Sequence, residues 1–182
     1  VALAFAAVWS APCAFAEEVE VRAELQRQET FLGEAVTLRI VVDGADKVEL
    51  ICEHNEEGAL GLVINRPTEL SLGDILEHMH IAATSEDIAA QPVYMGGPVQ
   101  NDRGFVLHEP VGDWEATLRI SEQTGITSSR DILEAIARGE GPERSFITLG
   151  YAGWGAGQLE EELAANAWLS GPADTAIVFE TP

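Results

Sequence analysis

The sequence predicts an α+β domain in which a mixed, bent β-sheet is covered by about three helices, preceded by a leader and a β-hairpin. Three observations support this fold class. Short apolar segments alternate irregularly with three amphipathic ones, and no repeat period appears. The 182 residues, 46% of them hydrophobic, are enough for a sizeable core. Irregular alternation favours a mixed sheet over a doubly wound parallel one.

The chain is strongly acidic. Ten Lys and Arg residues against 31 Asp and Glu residues give a net charge of −21, with a mean hydropathy of +0.04. Such a surface repels phosphate backbones, and few basic side chains are available to release counterions from nucleic acid. We therefore expect no direct nucleic-acid binding, and we expect either a protein partner or a small anionic ligand. A well-solvated acidic surface remains the simplest interpretation of the charge.

The first 48 residues divide into two segments. Residues 1–8 are apolar, and the small-x-small triplet Ala14-Phe15-Ala16 precedes acidic residues, which predicts a signal-peptide-like segment over residues 1–16. The alternative is a buried N-terminal helix. The apolar run is too short to span a bilayer. Residues 17–48 alternate in polarity and predict a β-hairpin, with strands around 19–25 and 36–42.

The next elements surround a hairpin over residues 50–64. Residues 50–52 end a strand and 53–58 form a polar turn. Residues 59–64 form a second strand, covered on both faces and ended by Pro67. A helix follows from a capping box at Ser71 and Asp74 to near His80, and then a polar linker over 82–91.

The rest of the chain continues the irregular alternation. Ser128 is predicted to cap a second helix that Gly139 closes, and a third helix covers 158–167. A turn is predicted at 102–104 and a glycine-rich loop from Gly150 to Gly157. The predicted strands cover residues 93–95, 105–108, 116–120, 146–149 and 176–179.

Several ordered motifs resemble the bacterial YqgE/AlgH family over about residues 50–182, which sets the main domain at 49–182. They are Cys-Glu-His-Asn at 52–55, Gly-Ala-Leu-Gly-Leu-Val-Ile-Asn-Arg-Pro at 58–67, Met-Gly-Gly-Pro-Val at 95–99, Asp-Arg-Gly-Phe-Val-Leu-His at 102–108, Thr-Ser-Ser-Arg-Asp at 127–131, Leu-Gly-Tyr-Ala-Gly-Trp at 149–154 and Asn-Ala-Trp-Leu at 166–169. Members are described as transcriptional regulators, so the resemblance implies a non-enzymatic regulatory or interaction protein. Without a helix-turn-helix motif or a basic face, we expect it to act indirectly.

Residues 17–48 instead resemble the first strands of exported BatD-like oxygen tolerance proteins. We therefore expect a chimeric reading frame joined near residues 45–49, without the usual first strand and C-terminal segment of the YqgE/AlgH-like domain. The larger portion resembles cytoplasmic proteins, which predicts a cytoplasmic location. The alternative is a periplasmic location, if the leader is genuine.

Cys52 and His54 lie two residues apart on a strand and so share one face. A thiol beside an imidazole can form a low-pKa thiolate, which predicts, as the alternative function, a redox sensor or a small enzyme. The interpretation we favour is a small buried Cys and a His that bonds to the turn backbone.

The other candidate binding residues are glycines, aromatic residues and arginines. Gly96 and Gly97, and the glycine-rich loop with Tyr151 and Trp154, are either ligand cradles or close-packed turns. Arg66, Arg103 and Arg130 either converge on an anion or pair with neighbouring carboxylates. No cofactor or metal is predicted, because the two cysteines and four histidines lack metal-ligand spacing.

Overall fold

A computed structural model describes the backbone of residues 36–40, 48–55, 57–165, 167–172 and 178–179, and the side chains of 57–165, 167–168 and 178–179. Within these ranges the protein is an α+β fold with a mixed ten-stranded sheet and four helices. The predicted fold class is confirmed. The signal-peptide-like segment and the first strand of the predicted N-terminal hairpin lie outside the described residues.

The strands and helices follow one another irregularly along the chain. The strands are β1 (Val36–Ile40), β2 (Val48–Asn55), β3 (Gly58–Val63), β4 (Pro67–Ser71), β5 (Pro92–Met95), β6 (Val99–Glu109), β7 (Thr117–Arg119), β8 (Gly125–Thr127), β9 (Arg144–Gly155) and β10 (Leu169–Pro172). The helices are α1 (Leu72–His78), α2 (Glu86–Ala89), α3 (Arg130–Ala137) and α4 (Gln158–Ala164).

The sheet is organised around β9. The strand order is β10-β1-β2-β3-β9-β6-β8-β7, with β4 and β5 attached to β9 at one side. The first half of β9 pairs antiparallel with β6 and parallel with β5, whereas its second half pairs antiparallel with β3. One strand therefore takes part in two sets of pairings along its length, and the sheet is mixed as predicted.

Gly150 lies in the middle of β9 with a φ of +73°, which is accessible to glycine and strained for other residues. A Cβ built on Gly150 would lie 2.4 Å from the carbonyl oxygen of Gly97. Gly96 and Gly97 lie against the backbone of β9. A Cβ built on either glycine would lie 2.3 Å or less from a β9 backbone atom. Gly96, Gly97 and Gly150 thus allow the backbone of residues 96–97 to contact the backbone of β9.

Two predicted loops are strands. Residues 102–104 belong to β6, which pairs Val99 with Tyr151 and Gly104 with Leu149. Between these two pairs β6 advances by five residues and β9 by two. The extra residues of β6 therefore form a bulge where the sequence predicts a turn. The predicted glycine-rich loop is, as far as Gly155, the second half of β9, because its backbone is needed to pair with β3.

The hairpin before β4 also has a shorter turn than predicted. The strand β2 continues to Asn55, which pairs with Gly58, so residues 53–55 are extended. Gly58 has a φ of +144° and lies so close to the Trp154 carbonyl that a Cβ would be 2.3 Å from its oxygen. The prediction that the following strand is covered on both faces is supported by the burial of residues 61–64.

The helices differ from prediction mainly at their ends. The capping box of Ser71 and Asp74 is confirmed at the start of α1. Ser129 occupies the N-cap of α3 where Ser128 was predicted, because the Ser128 amide bonds to the Ala116 carbonyl and extends the ladder of β7 and β8. The predicted linker over 82–91 contains α2, and α4 ends at Ala164. Residues 178–179 have helical backbone where a strand was predicted.

Buried side chains form clusters on both faces of the sheet. Side chains of α1 and α3 pack against Val93, Val106 and Ile147 on one face. Phe105 and Leu107, which alternate with Val106 along β6, pack into the cluster of the opposite face. A third cluster lies under α4, where Leu159 contacts Val63. The apolar positions Ile132, Leu133 and Ile136 of α3 are buried as predicted.

The carboxylate of Glu162 holds two indoles against α4. It accepts hydrogen bonds from Nε1 of Trp168 at 2.7 Å and Nε1 of Trp154 at 3.0 Å, and the two rings meet edge to face. These donors, Trp168 and then Trp154, hold the pKa of Glu162 below its ordinary value. Trp154 therefore contributes to packing between β9 and α4.

Glu162→Gln should lower the free energy of unfolding by about 1 kcal/mol at neutral pH, because hydrogen bonds to a charged acceptor become bonds to a neutral one. Urea denaturation followed by tryptophan fluorescence measures this change. Glu161→Gln is the matched control, since Glu161 is an exposed neighbour on the same helix. Equal stabilities of the two variants would contradict the role of Glu162.

The strand β6 carries a buried imidazole. His108 is fully buried, with Nδ1 2.9 Å from the carbonyl oxygen of Pro110 and Nε2 2.7 Å from Oγ1 of Thr127. Because a carbonyl only accepts, Nδ1 carries the hydrogen of the neutral ring, and Nε2 accepts from the Thr127 hydroxyl. Oγ1 of Thr127 lies 2.7 Å from Oγ1 of Thr117, which continues the chain of hydrogen bonds. Burial lowers the pKa of His108.

The lowered pKa of His108 makes stability depend on pH. The folded protein holds the ring neutral, so its contribution is complete above the unfolded pKa of about 6.5 and is lost as the pH falls towards the lower folded pKa. We expect the free energy of unfolding to fall between pH 7.5 and 5.5, and His108→Gln to reduce that slope. Urea denaturation at several pH values measures it. An unchanged slope in His108→Gln would refute the assignment.

Candidate functional site

Arg103 is presented by the bulge in β6. Its Nη2 donates to Oγ of Ser128 at 2.9 Å, Nη1 lies 3.5 Å from Oε1 of Gln100, and the guanidinium carbon is 5.4 Å from the centre of the Phe105 ring. The side chain is exposed. Within the described part of the chain, the hydrogen-bond and ring contacts of Arg103 are all with neutral groups. No carboxylate there pairs with its charge. An arginine held in this way retains donors for an incoming anion.

A cleft of about 360 Å³ lies on one side of Arg103, between α1, α3 and the sheet. We call it the helix cleft. Its apolar walls come from both helices and from β9, and its polar rim carries both charged and hydroxyl side chains. The walls include Ile75, Met79, Leu133, Ile147 and Leu149. The rim includes His78, Asp102, Arg103, Ser128 and Arg130.

A second, smaller cleft of about 250 Å³ lies on the other side of Arg103, and we call it the β7 cleft. Phe105 and Tyr151 contribute to it, with ring centres 5.6 Å apart in an edge-to-face arrangement. Leu118 of β7 lies at its open side and is 39% exposed. Arg103, Ser128 and Phe105 line both clefts, so the hydrogen bond between Arg103 and Ser128 lies at their junction.

The two neighbouring serines have different surroundings. Oγ of Ser129 donates to Asp131 at 2.5 Å and accepts from the Ala116 amide at 3.1 Å, so this hydroxyl is used in holding α3 to the loop before β7. Oγ of Ser128 accepts from Arg103, and within the described residues its own hydrogen has no acceptor. Ser128 and Arg103 therefore offer adjacent donors at the cleft mouth.

The rim has a nearly balanced charge. Arg130 lies beside Arg103 at the helix cleft, but its Nε is 2.7 Å from Oε1 of Glu134, which satisfies its charge. Asp102 adds one negative charge to the same rim. Arg103 and Arg130 therefore both line the helix cleft, and Arg103 is the one of the two whose contacts within the described residues are neutral.

The other predicted site residues lie elsewhere. Arg66 is exposed after β3, and its carbonyl accepts from the Met95 amide. Gly96 and Gly97 are buried against β9, as described above. Tyr151 faces the β7 cleft, whereas Trp154 packs under α4.

Cys52 and His54 both lie on β2, paired with Gly61 and Ala59 of β3. Their side chains lie outside the described residues, so the thiol–imidazole pair stays a prediction. Cys52 and His54 are not on the strand that carries Arg103. That strand is β6, which lies two strands beyond β3 in the sheet.

The sequence patterns do not reveal the roles of Ser128 and of the cleft walls. They predict Ser128 only as a helix cap. The available signal was the recurrence of an arginine beside polar residues at 102–103 and 128–130. Nothing in that pattern indicates that β6 and β8 pair and bring these stretches together.

Metal-binding clusters and membrane-spanning helices are both absent from the part of the chain that the structure describes. No cluster of three His, Cys, Asp or Glu side chains there has the geometry to hold a metal ion. No helix there is long and apolar enough to cross a membrane.

Comparison with known proteins identifies relatives over most of the chain. The family described as AlgH-like (DUF179) matches residues 45–182. A UPF0301 protein of Nitrosococcus oceani is 53% identical over 141 residues, covering 78% of this chain and 75% of the relative. A UPF0301 protein of Thioalkalivibrio sulfidiphilus is 58% identical over 135 residues, covering 74% of this chain and 72% of the relative.

Two solved structures have a similar fold. The solution structure of the AlgH protein from Pseudomonas aeruginosa has a TM-score of 0.71 and 45% identity, and the match covers 87% of this chain and 86% of that one. The crystal structure of a Corynebacterium diphtheriae protein has a TM-score of 0.63 at 16% identity, over 85% of this chain and 82% of that one, and shows the fold alone. The BatD-like resemblance of residues 17–48 stays a prediction. The family match, the curated relatives and the AlgH structure together show that this chain belongs to the AlgH-like, or UPF0301, family.

Proposed function

We propose that the protein is a non-enzymatic regulatory protein that binds an anionic group, on a small ligand or on a protein partner, at Arg103. One observation carries the proposal. In a chain with a net charge of −21, Arg103 lies at the mouth of an apolar cleft with neutral contacts throughout the described residues. An acidic chain has many carboxylates available to neutralise an arginine, so an arginine left without one is suited to an external anion.

The other arginines near carboxylates provide the contrast. Arg130 pairs with Glu134 at 2.7 Å, Arg138 with Glu140 at 2.8 Å, and Arg144 approaches Glu109 at 3.7 Å. These pairs are partly exposed, and each contributes little to stability. Each of these three cations nevertheless has a carboxylate close by, whereas the contacts of Arg103 within the described residues are neutral.

The overall charge limits the kind of anion that binds. A net charge of −21 repels extended polyanions. A single carboxylate in contact with Arg103 instead gains short-range hydrogen bonds, which outweigh the screened repulsion from the other acidic residues. The proposal therefore keeps the exclusion of direct nucleic-acid binding. An effect on transcription would pass through a protein partner, and we place the protein in the cytoplasm.

Arg103→Gln should weaken acetate binding about tenfold or more, because it removes a charge-assisted, two-donor contact. Acetate is titrated at constant ionic strength and followed by amide chemical shifts around Gly104 and Ser128. Arg138→Gln changes the net charge equally at a remote exposed site and should bind acetate like the wild type. Equal acetate binding by all three proteins, or an equal loss in both variants, would contradict a local site at Arg103.

Substitutions of the two serines should separate binding from stability. Ser128→Ala should weaken acetate binding roughly two- to tenfold and change the free energy of unfolding by less than about 0.5 kcal/mol. Ser129→Ala should leave acetate binding unchanged and cost about 1 kcal/mol, because an amide and a carboxylate lose their partner. The titration and urea denaturation measure both effects. The same phenotype in both variants would argue against a donor role for Ser128.

A further inference from the structure

We infer that the group held at Arg103 is the carboxylate of a monoanionic amphiphile, whose unbranched apolar tail lies in the helix cleft. This inference rests on the proposed function and adds the chemical class of the ligand. It requires an apolar site for the tail, a head site with room for one carboxylate, and a charge balance that favours one negative charge over two.

The helix cleft supplies the tail site. Ile75 of α1, Met79 at the C-cap of α1 and Leu133 of α3 line it, and Ile147 and Leu149 of β9 complete the apolar lining. Its volume of about 360 Å³ falls within the range of about 300–1,000 Å³ typical of small-molecule sites. Such sites combine mostly apolar walls with a few polar groups that orient the ligand, and the helix cleft has this composition.

The head site is formed by Arg103 and Ser128. The guanidinium is held from one side by Oγ of Ser128 at 2.9 Å and rests near the Phe105 ring, which limits its orientations. A planar carboxylate matches the planar guanidinium and can accept two parallel hydrogen bonds. The hydroxyl hydrogen of Ser128 adds a third donor beside them.

The charges on the rim favour a single negative charge. Arg130 is neutralised by Glu134, while Asp102 lies on the same rim as Arg103. His78, the remaining titratable group of the rim, is exposed at the end of α1. Asp102 repels any anion at this rim and repels a phosphate dianion about twice as strongly as a carboxylate, so the rim suits a monoanion better than a dianion.

The β7 cleft is the other place where a tail could lie. It is smaller, at about 250 Å³, and its lining includes the polar side chain of Gln100 as well as Arg103 and Ser128. The helix cleft is larger and has apolar side chains from two helices and the sheet. We therefore place the tail in the helix cleft, and the β7 cleft becomes an outcome of the test.

The inference is tested with straight-chain carboxylates on the whole chain. Acetate, butanoate, hexanoate and octanoate are titrated in the same way, below their micelle-forming concentrations. Each added methylene should tighten binding by about two- to fourfold until the cleft is filled, as expected for burial of apolar surface. Octanol should bind at least tenfold more weakly than octanoate, because it lacks the charged contact with Arg103.

Two matched variants locate the tail. Met79→Gln keeps the size of the side chain in the helix cleft and makes it polar, whereas Leu118→Gln does the same at the β7 cleft. Met79→Gln should weaken octanoate binding several-fold and leave acetate binding unchanged, and Leu118→Gln should change neither. Amide shifts of Ile75 and Leu133 should respond to octanoate and not to acetate.

The outcomes separate this inference from the proposed function. Acetate binding that depends on Arg103 but does not strengthen with chain length would overturn the amphiphile and leave the anion site standing. Weakening by Leu118→Gln and not by Met79→Gln would overturn the placement of the tail. Tighter binding of inorganic phosphate than of octanoate would overturn the monoanion. Absence of binding by every carboxylate would overturn both the inference and the proposed function.

Discussion

Gly150 lies in the middle of a twelve-residue strand with φ at +73°, in backbone contact with Gly97. The first half of β9 pairs with β5 and β6, and its second half pairs with β3. The bulge in β6 that carries Arg103 spans the same point, because its flanking pairs are Val99 with Tyr151 and Gly104 with Leu149. A side chain at any of the three glycines would separate these backbones, and the position of Arg103 depends on their contact.

The electrostatic character of the site follows from which charges the fold brings together. Ser128 and Phe105 hold Arg103 without neutralising it, while Glu134 neutralises Arg130 one helical turn away. In an acidic chain, long-range repulsion excludes polyanions but is screened within about 10 Å at ordinary ionic strength. The binding proposed at Arg103 therefore depends on short, directional contacts, which one guanidinium and one hydroxyl can supply to one carboxylate.

The same residue types have structural roles elsewhere in the molecule. His108 is fully buried and satisfied by Pro110 and Thr127, and Glu162 accepts from two indoles. Their shifted pKa values have causes in burial and hydrogen bonding that need no ligand. A perturbed pKa therefore does not by itself mark a functional site in this protein, and the proposed site rests on an arginine with neutral partners.

Local patterns in the sequence determined the fold class, the capping box at Ser71, the buried face of α3 and the covered strand over residues 59–64. Each depends on neighbouring residues through periodicity, capping or turn chemistry. Tertiary structure alone decided that residues 150–155 continue as a strand, that 102–104 form a bulge, and that Arg103 meets Ser128 twenty-five residues away. Glycines are compatible with loops and with strands, and only pairing partners distant in sequence select between them. The charge of Arg103 was visible in the sequence, but the absence of a carboxylate around it within the described residues is a property of the fold.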